Sequence, residues 1–275
     1  MSNDYEDGQD NEDEWPRDDK VDEVKPIILS EVFGTNKRLL YSVQVETQLE
    51  RRYFHWITNK ALAELAAEGR LIRSEQFIAP TMQRVFFYTI PAHRFWKREA
   101  KELSALLARI YDPRFTQALG DQAELMFDSA LARIGFAPIA KNTNNWRGRQ
   151  WTASKQNLDR IAEADGLAYG IEIKNTQNYI PRDELRAKVA MCRFLDLIPL
   201  FILRFAPKSY IHEVQQAGGF CLLFEEQLYP FGYRELLDTV RRDLGLKVQI
   251  SKDIPAGHMQ RLRSWHDRRV AGIRR

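Results

Sequence analysis

Cysteine is nearly absent from this sequence: two residues in 275, Cys192 and Cys221, with no C-x-x-C spacing. That excludes a disulfide framework and a cysteine-built zinc site, and it leaves a reducing compartment as the default. Histidine is scarce too. His55, His93 and His212 show no ligand spacing, and His258 and His266 fall in a basic segment where they read as exposed rather than as metal ligands. Long apolar runs are missing. The richest, FLDLIPLFILRF, is interrupted by Asp196, Pro199 and Arg204 and is too short to span a bilayer. The first residues, MSNDYEDGQDNEDEW, are polar and acidic, which excludes a signal peptide. No internal repeat is visible. Together these absences predict a cytoplasmic protein with no membrane partner.

What is present is the composition of a folded protein, 44% hydrophobic and 29% charged. The length suits one large domain or two moderate ones with a sizeable core. A net charge of +3 conceals an uneven distribution. Residues 1–25 carry eleven acidic and three basic side chains, a net of −8. Residues 247–275 carry eight basic and two acidic ones, a net of +6, which leaves +5 for the residues between. An acidic head on a basic body points to a polyanionic partner for the body, although charged tails also serve solubility alone.

Residues 1–25 lack apolar periodicity and are expected to form a disordered acidic tail. Over 26–92 the segments IILSEVF and VETQLERRYF suggest short helices. TNKALAELAAEG suggests a better one, with Thr58 as N-cap, an apolar stripe of Leu62, Leu65 and Ala66, and Gly69 as terminator. The runs RLIRSE and QRVFFYTI follow as strands, joined by QFIAPTM. Helices followed by a two-stranded ribbon resemble a winged helix-turn-helix domain. That resemblance implies that helix 58–68 enters the major groove with Asn59 and Lys60 foremost, while Arg51, Arg52 and Arg84 meet phosphates. The same fold is also used for dimerisation or domain packing, and the helix carries few basic residues. Residues 93–114, within and just after AHRFWKREAKELSALLARIYD (92–112), read as a connecting helix broken at Asp112-Pro113.

From 115 to 246 the elements alternate. GDQAELMFDSALARIGF is a helix with a stripe of Leu125, Phe127, Ala130, Leu131 and Ile134, closed by Gly135. A strand around APIAK, a polar loop and a hairpin lead to helix RDELRAKVAMCRFLDL and the continuous apolar strand IPLFILRF. Helix SYIHEVQQAGG, strand FCLLF and helix FGYRELLDTVRRDLG complete the region. The order predicts an α/β fold, a mixed sheet with helices on both faces. Residues 247–275 read as a basic C-terminal arm able to gain affinity by counterion release.

The hairpin NLDRIAEADGLAYGIEIKN carries charge where a buried strand should carry none. Asp165-Gly166 forms a favoured type I′ loop, and Asp165 is read as a turn residue rather than a ligand. Counting outward, Ala164 faces Leu167, Ala162 faces Tyr169, Arg160 faces Ile171 and Asp159 faces Glu172. Glu163 faces Ala168 at the surface. Alternation then gathers Asp159, Glu172 and Lys174 on one face, with Leu167, Tyr169, Ile171 and Ile173 on the other. Opposed like charges are unfavourable, so two carboxylates there sit in open solvent, share a proton or hold a cation. Mg²⁺ suits such a pair, since it takes oxygen ligands and accepts phosphate oxygens, and a nearby lysine can stabilise phosphate charge.

At these residues the sequence resembles the PD-(D/E)XK nuclease superfamily, whose pattern is an Asp opening one strand and Glu-x-Lys on the next, after a helix that often carries a Glu. Here Asp159 is followed by Glu172-Ile173-Lys174, and Glu124 lies on the preceding helix. Leu158 stands where that family often has proline, and the following helix lacks the Q-x-x-x-Y signature of one branch. The resemblance implies a restriction endonuclease-like αβββαβ core and an Mg²⁺-dependent endodeoxyribonuclease, with Mn²⁺ as a substitute ion. In it Asp159, Glu172 and Glu124 bind the metal, and Lys174 acts on the water or the scissile phosphate. The loop KNTNNWRGRQWTASKQN, with Trp146, Arg147, Arg149 and Trp151, suits phosphate contact and base stacking, and Gln177 suits substrate positioning. DNA is the expected partner. A homodimer is compatible with cutting two strands, though no interface pattern is legible. The alternative is a DNA-binding or assembly protein that keeps the fold without cutting; RNA cleavage is a third reading.

Overall fold

Val21, Val24, Ile28 and Val32 recur every three or four residues and are all buried, the pattern of a helix laid on a core. The computed structural model describes residues 18–34 and 38–273. The expected disordered head therefore lies outside the described residues up to position 17. Helix α1 already occupies Lys20–Ile27, continued by a wider turn over Ile28–Val32. Two units divide the chain: residues up to Gln117 with Asp238–Leu246, and Ala118–Leu237 with Lys247–Arg275.

In the first unit β1 (Leu40–Tyr41) leads into α2 (Ser42–Leu49), where the Tyr41 N–H donates to Gln44 Oε1 at 2.8 Å. Next come α3 (His55–Ala67), β2 (Ile72–Ile78), β3 (Gln83–Thr89) and α4 (Trp96–Ile110). The sheet order is β1-β3-β2, antiparallel throughout. Two sequence expectations are corrected here. Helix α3 begins at His55 after Phe54 at its N-cap, so Thr58 is a wholly buried residue inside the helix and not its cap. Ile57, Ala61, Leu62 and Leu65 turn the helix into the core, and that burial overrides the local cap signal. Strand β2 also runs on through Gln76, Phe77 and Ile78, which read as linker.

Helix α5 (Pro113–Arg133) opens the route into the second unit. Strand β4 (Ala137–Thr143), a small hairpin of β5 (Asn145–Trp146) and β6 (Arg149–Gln150), then β7 (Leu158–Ala164) and β8 (Leu167–Lys174) follow. Helix α6 (Arg182–Leu195), β9 (Ile198–Leu203), α7 (Lys208–Gln216) and β10 (Phe220–Leu223) come next. The remainder is β11 (Gln227–Leu228), α8 (Arg234–Thr239), β12 (Val248–Gln249) and α9 (Ala256–Ile273). The main sheet has order β10-β9-β8-β7-β4, antiparallel from β4 to β8 and parallel from β8 to β10. The architecture is mixed α/β.

The β7–β8 register pairs Ala164 with Leu167, Ala162 with Tyr169 and Arg160 with Ile171. Asp165 and Gly166 both take positive φ, 49° and 80°, as a type I′ turn requires. Tyr169, Ile171 and Ile173 pack on α5 through Ala123, Met126, Phe127, Ala130 and Leu131. Leu125, expected in that stripe, is instead exposed, because Met126 and Ala123 take the inward positions. On the opposite face α6 places Met191, Cys192 and Leu195 against Leu158 and Ile161. The basic C-terminal segment is also revised. Residues 256–273 form α9, and Met259, Leu262 and His266, spaced three and four apart, bury one side of it in the core shared with α5. Among the described residues no helix is long and apolar enough to cross a membrane.

Candidate functional site

Alternation along β8 turns Ala168, Gly170, Glu172 and Lys174 towards α6. Glu172 is 1% exposed. Its Oε2 accepts a short hydrogen bond from Lys188 Nζ on α6, and Lys174 Nζ lies 3.3 Å from its Oε1. Lys174 also pairs with Glu184 at 2.9 Å, and Glu184 with Lys188 at 3.3 Å, one helical turn apart. Asp159, partly exposed at the start of β7, accepts the Ile173 N–H on Oδ2 at 2.7 Å. Two carboxylates and two ammonium groups thus meet between β8 and α6, with Asp159 bonded to the β8 backbone nearby.

Burial and the neighbouring Asp159 carboxylate push the Glu172 carboxyl up to about 7, against the pull of Lys188 and Lys174. Burial likewise raises Asp159 above the ordinary carboxylate range, with Lys188, the Ile173 N–H and Lys174 opposing it. For Lys174 burial works against the charge, but Glu172 and Glu184 outweigh it and hold the ammonium above its usual value. Glu184 sits below the usual range because Lys174 and Lys188 overcome its own burial. Glu172 and Asp159 are the carboxylates whose charged forms are disfavoured.

These residues fit a divalent cation. Each of the two carboxylates has one oxygen committed, Asp159 Oδ2 to a backbone N–H and Glu172 Oε2 to Lys188. Glu172 Oε1 is buried and makes no hydrogen bond. A hard cation taking oxygen ligands would coordinate that atom beside Lys174 and relieve the burial and the Asp159 repulsion that raise the Glu172 carboxyl.

Glu124 is held elsewhere. On α5 it accepts from Arg160 Nη2 at 2.8 Å and pairs with Lys141 at 3.3 Å. Arg160, buried on the α5 face of β7, also binds Asp128 through Nε and Nη2, both at 2.8 Å. Burial opposes the Glu124 charge, and Arg160 and Lys141 prevail and lower it. Glu124 raises the Asp159 carboxyl less than burial does. The Arg160 knot explains a second buried charge on the hairpin, and sequence reasoning missed it along with Asp128, Glu184 and Lys188.

The residues expected to meet nucleic acid fall in both units. In the second, Arg147 and Arg149 on the β5–β6 hairpin are exposed. Arg147 lies 5.1 Å from the Trp146 ring and bonds Glu163 at 2.9 Å, and Arg149 lies 4.7 Å from the Phe194 ring. Trp146 and Trp151 are half-buried against the α6-side core. Gln177 donates to Gln227 Oε1 at 2.9 Å, and its carbonyl accepts from the buried Arg204 at 2.7 Å. In the first unit Asn59 and Lys60 are half-exposed on α3 and Arg51 is exposed. Arg52 bonds Glu31 at 2.7 Å, and Arg84 bonds Glu75 at 2.5 Å while covering the Phe86 ring.

One further cluster gathers Asp165, His266 and Asp267, with ligand atoms within 4.8 Å of one another. Its members are already occupied. His266 Nδ1 lies 2.6 Å from Tyr169 Oη, and Nε2 lies 2.8 Å from Asp165 Oδ2. Arg263 holds Asp165 at 3.1 Å and Asp267 at 2.8 Å. His266 is fully buried, contrary to the exposed position its basic surroundings suggested. Comparisons of the chain with protein-family models, with curated proteins and with solved structures return no match.

Proposed function

We propose that this protein is a metal-dependent DNA endonuclease, with Asp159 and Glu172 as the metal-binding carboxylates and Lys174 as the residue acting on water or phosphate. The observation that carries the reading is the pair itself: carboxylates on neighbouring strands, both disfavoured as anions, one of them wholly buried with an oxygen that makes no hydrogen bond and faces the Lys174 ammonium at 3.3 Å. Bound Mg²⁺ would supply Lewis-acid stabilisation of phosphate charge and an acidified water. The chain's own residues do the rest. Ile173 N–H fixes the Asp159 carboxylate. Lys188 and Glu184 orient Glu172 and Lys174 from α6. Lys174, about a third exposed, brings a positive charge to the solvent side of the pair, where a phosphate would approach.

The order of α5, β4, β7, β8, α6 and β9 agrees with a restriction endonuclease-like αβββαβ core, and it supports the reading without identifying the family. The first unit's order of helix, strand, two helices and two strands, with a β1-β3-β2 sheet, is in keeping with a winged-helix DNA reader. Within that reader Asn59, Lys60, Arg51, Arg52 and Arg84 are the candidate contacts, and Arg52 and Arg84 would exchange Glu31 and Glu75 for phosphate. Glu124 contributes through Arg160 and not as a direct ligand.

A second reading has its own observation. Lys174 and Lys188 already compensate Glu172 and Glu184, which is how a self-neutralised buried charge cluster looks in a protein that binds DNA without cutting it. Labelled linear, supercoiled and branched DNA, incubated with wild type and Lys174→Ala in Mg²⁺, Mn²⁺ or EDTA, separates the two. Metal-dependent cutting lost in the variant supports the nuclease. Retained DNA binding with no cutting on any substrate supports the second reading.

A further inference from the structure

We infer that Lys188 stands in for a second cation, so that the site takes one divalent ion per chain and not two. The inference rests on the metal-site reading above. Its grounds are the partners that the carboxylate oxygens already have. Glu172 divides its carboxylate: Oε2 is taken by the buried Lys188 Nζ from α6, whereas Oε1 makes no hydrogen bond and has the partly exposed Lys174 Nζ at 3.3 Å. Asp159 divides its own in the same sense, with Oδ2 on the Ile173 N–H. The donors left for an ion are therefore Glu172 Oε1 with the other oxygen of Asp159.

The remaining donors point to the same conclusion. Glu172 Oε2 and Glu184 Oε1 form a second potential oxygen pair, and Lys188 Nζ touches both, the latter at 3.3 Å. Lys188 is 5% exposed, so its ammonium is a fixed part of the site and not a surface charge that can swing away. A buried lysine between two carboxylates supplies one positive charge where a divalent ion would supply two, and it does so without water ligands. The cluster would otherwise hold three carboxylates against Lys174 alone.

Mn²⁺ binding to the full chain, followed by electron paramagnetic resonance and by titration calorimetry, tests this with the metal alone. Wild type should bind one Mn²⁺ per chain, and Asp159→Asn should lower that affinity at least tenfold. Lys188→Gln removes the positive charge held between Glu172 and Glu184 and should bind two ions. Adding Glu184→Gln to it should return the count to one. Lys188→Arg keeps the charge and should keep the count at one, which covers the case in which the glutamine variant does not fold. Circular dichroism establishes that each variant is folded before counting. Two ions on wild type, or one on a folded Lys188→Gln protein, overturns the inference while leaving the metal site standing. No Mn²⁺ on wild type sinks the metal-site reading itself.

Discussion

Replacing Glu172 by glutamine removes a carboxyl that burial and Asp159 have pushed from its ordinary 4.5 to about 7, and leaves the side chain's shape intact. That displacement corresponds to about 3 kcal/mol of pH-dependent stability. The sign follows from the direction. A group whose folded pKa lies above its unfolded one contributes stability that is fully present below about pH 4.5 and lost as pH rises through about 7. The free energy of unfolding of wild type minus that of Glu172→Gln should therefore fall by about 3 kcal/mol between pH 4.5 and 8. Urea unfolding at half-unit pH steps measures it, because both proteins expose the same surface and share an m-value. A difference that stays flat within about 0.5 kcal/mol, or that rises with pH, refutes the placement of two destabilised carboxylates on this face.

Arg160→Met should destabilise by about 2–3 kcal/mol in urea, less than a fully buried pair because Glu124 and Asp128 are partly solvated; a loss below about 0.5 kcal/mol would show that the knot is ornamental. Gly170→Ala would put a Cβ 2.6 Å from Cys192 Sγ and 2.9 Å from Leu158 Cδ1. It should cost about 1–3 kcal/mol, and Cys192→Ala should recover part of that in the double variant, which thermal melts of the four proteins can check. For nucleic acid, Arg147→Ala and Arg149→Ala should each reduce the salt slope of duplex DNA binding by about 1 if they meet phosphates. An unchanged slope assigns their charges to Glu163 and Phe194 alone.

The hairpin was legible because its signals are local. Asp165-Gly166 fixes the turn, the turn fixes the register, and a period of two assigns Asp159, Glu172 and Lys174 to a common face. Lys188 was missed for a reason of range. It follows Leu185 by three and precedes Cys192 by four, so it lies in the buried stripe of α6, where only a partner across the sheet explains a charge. A lysine in such a stripe, with Glu184 four residues before it, is the sequence mark that could have pointed to it. Arg160 has a similar mark, Glu124 and Asp128 one turn apart on the helix that its face of β7 meets. On α9 net charge hid the spacing of Met259, Leu262 and His266, and a packed helix read as an arm. Thr58 failed in the opposite way: a good local cap signal gave way to the apolar face around it.

Gly170 has a consequence for watching this molecule move. Lacking a side chain, it lets the Cys192 sulfur settle against the centre of β8, 3.9 Å from the Gly170 carbonyl oxygen. That thiol is free, fully buried, and pushed by burial up to about 12. A thiol-directed reagent can reach it only when α6 lifts from the sheet, so in a Cys221→Ser background the rate of labelling becomes a clock for that opening. The helix being timed carries Lys188 and Glu184. One cysteine therefore reports, from behind the sheet's central strand, how often the charges facing Glu172 come apart.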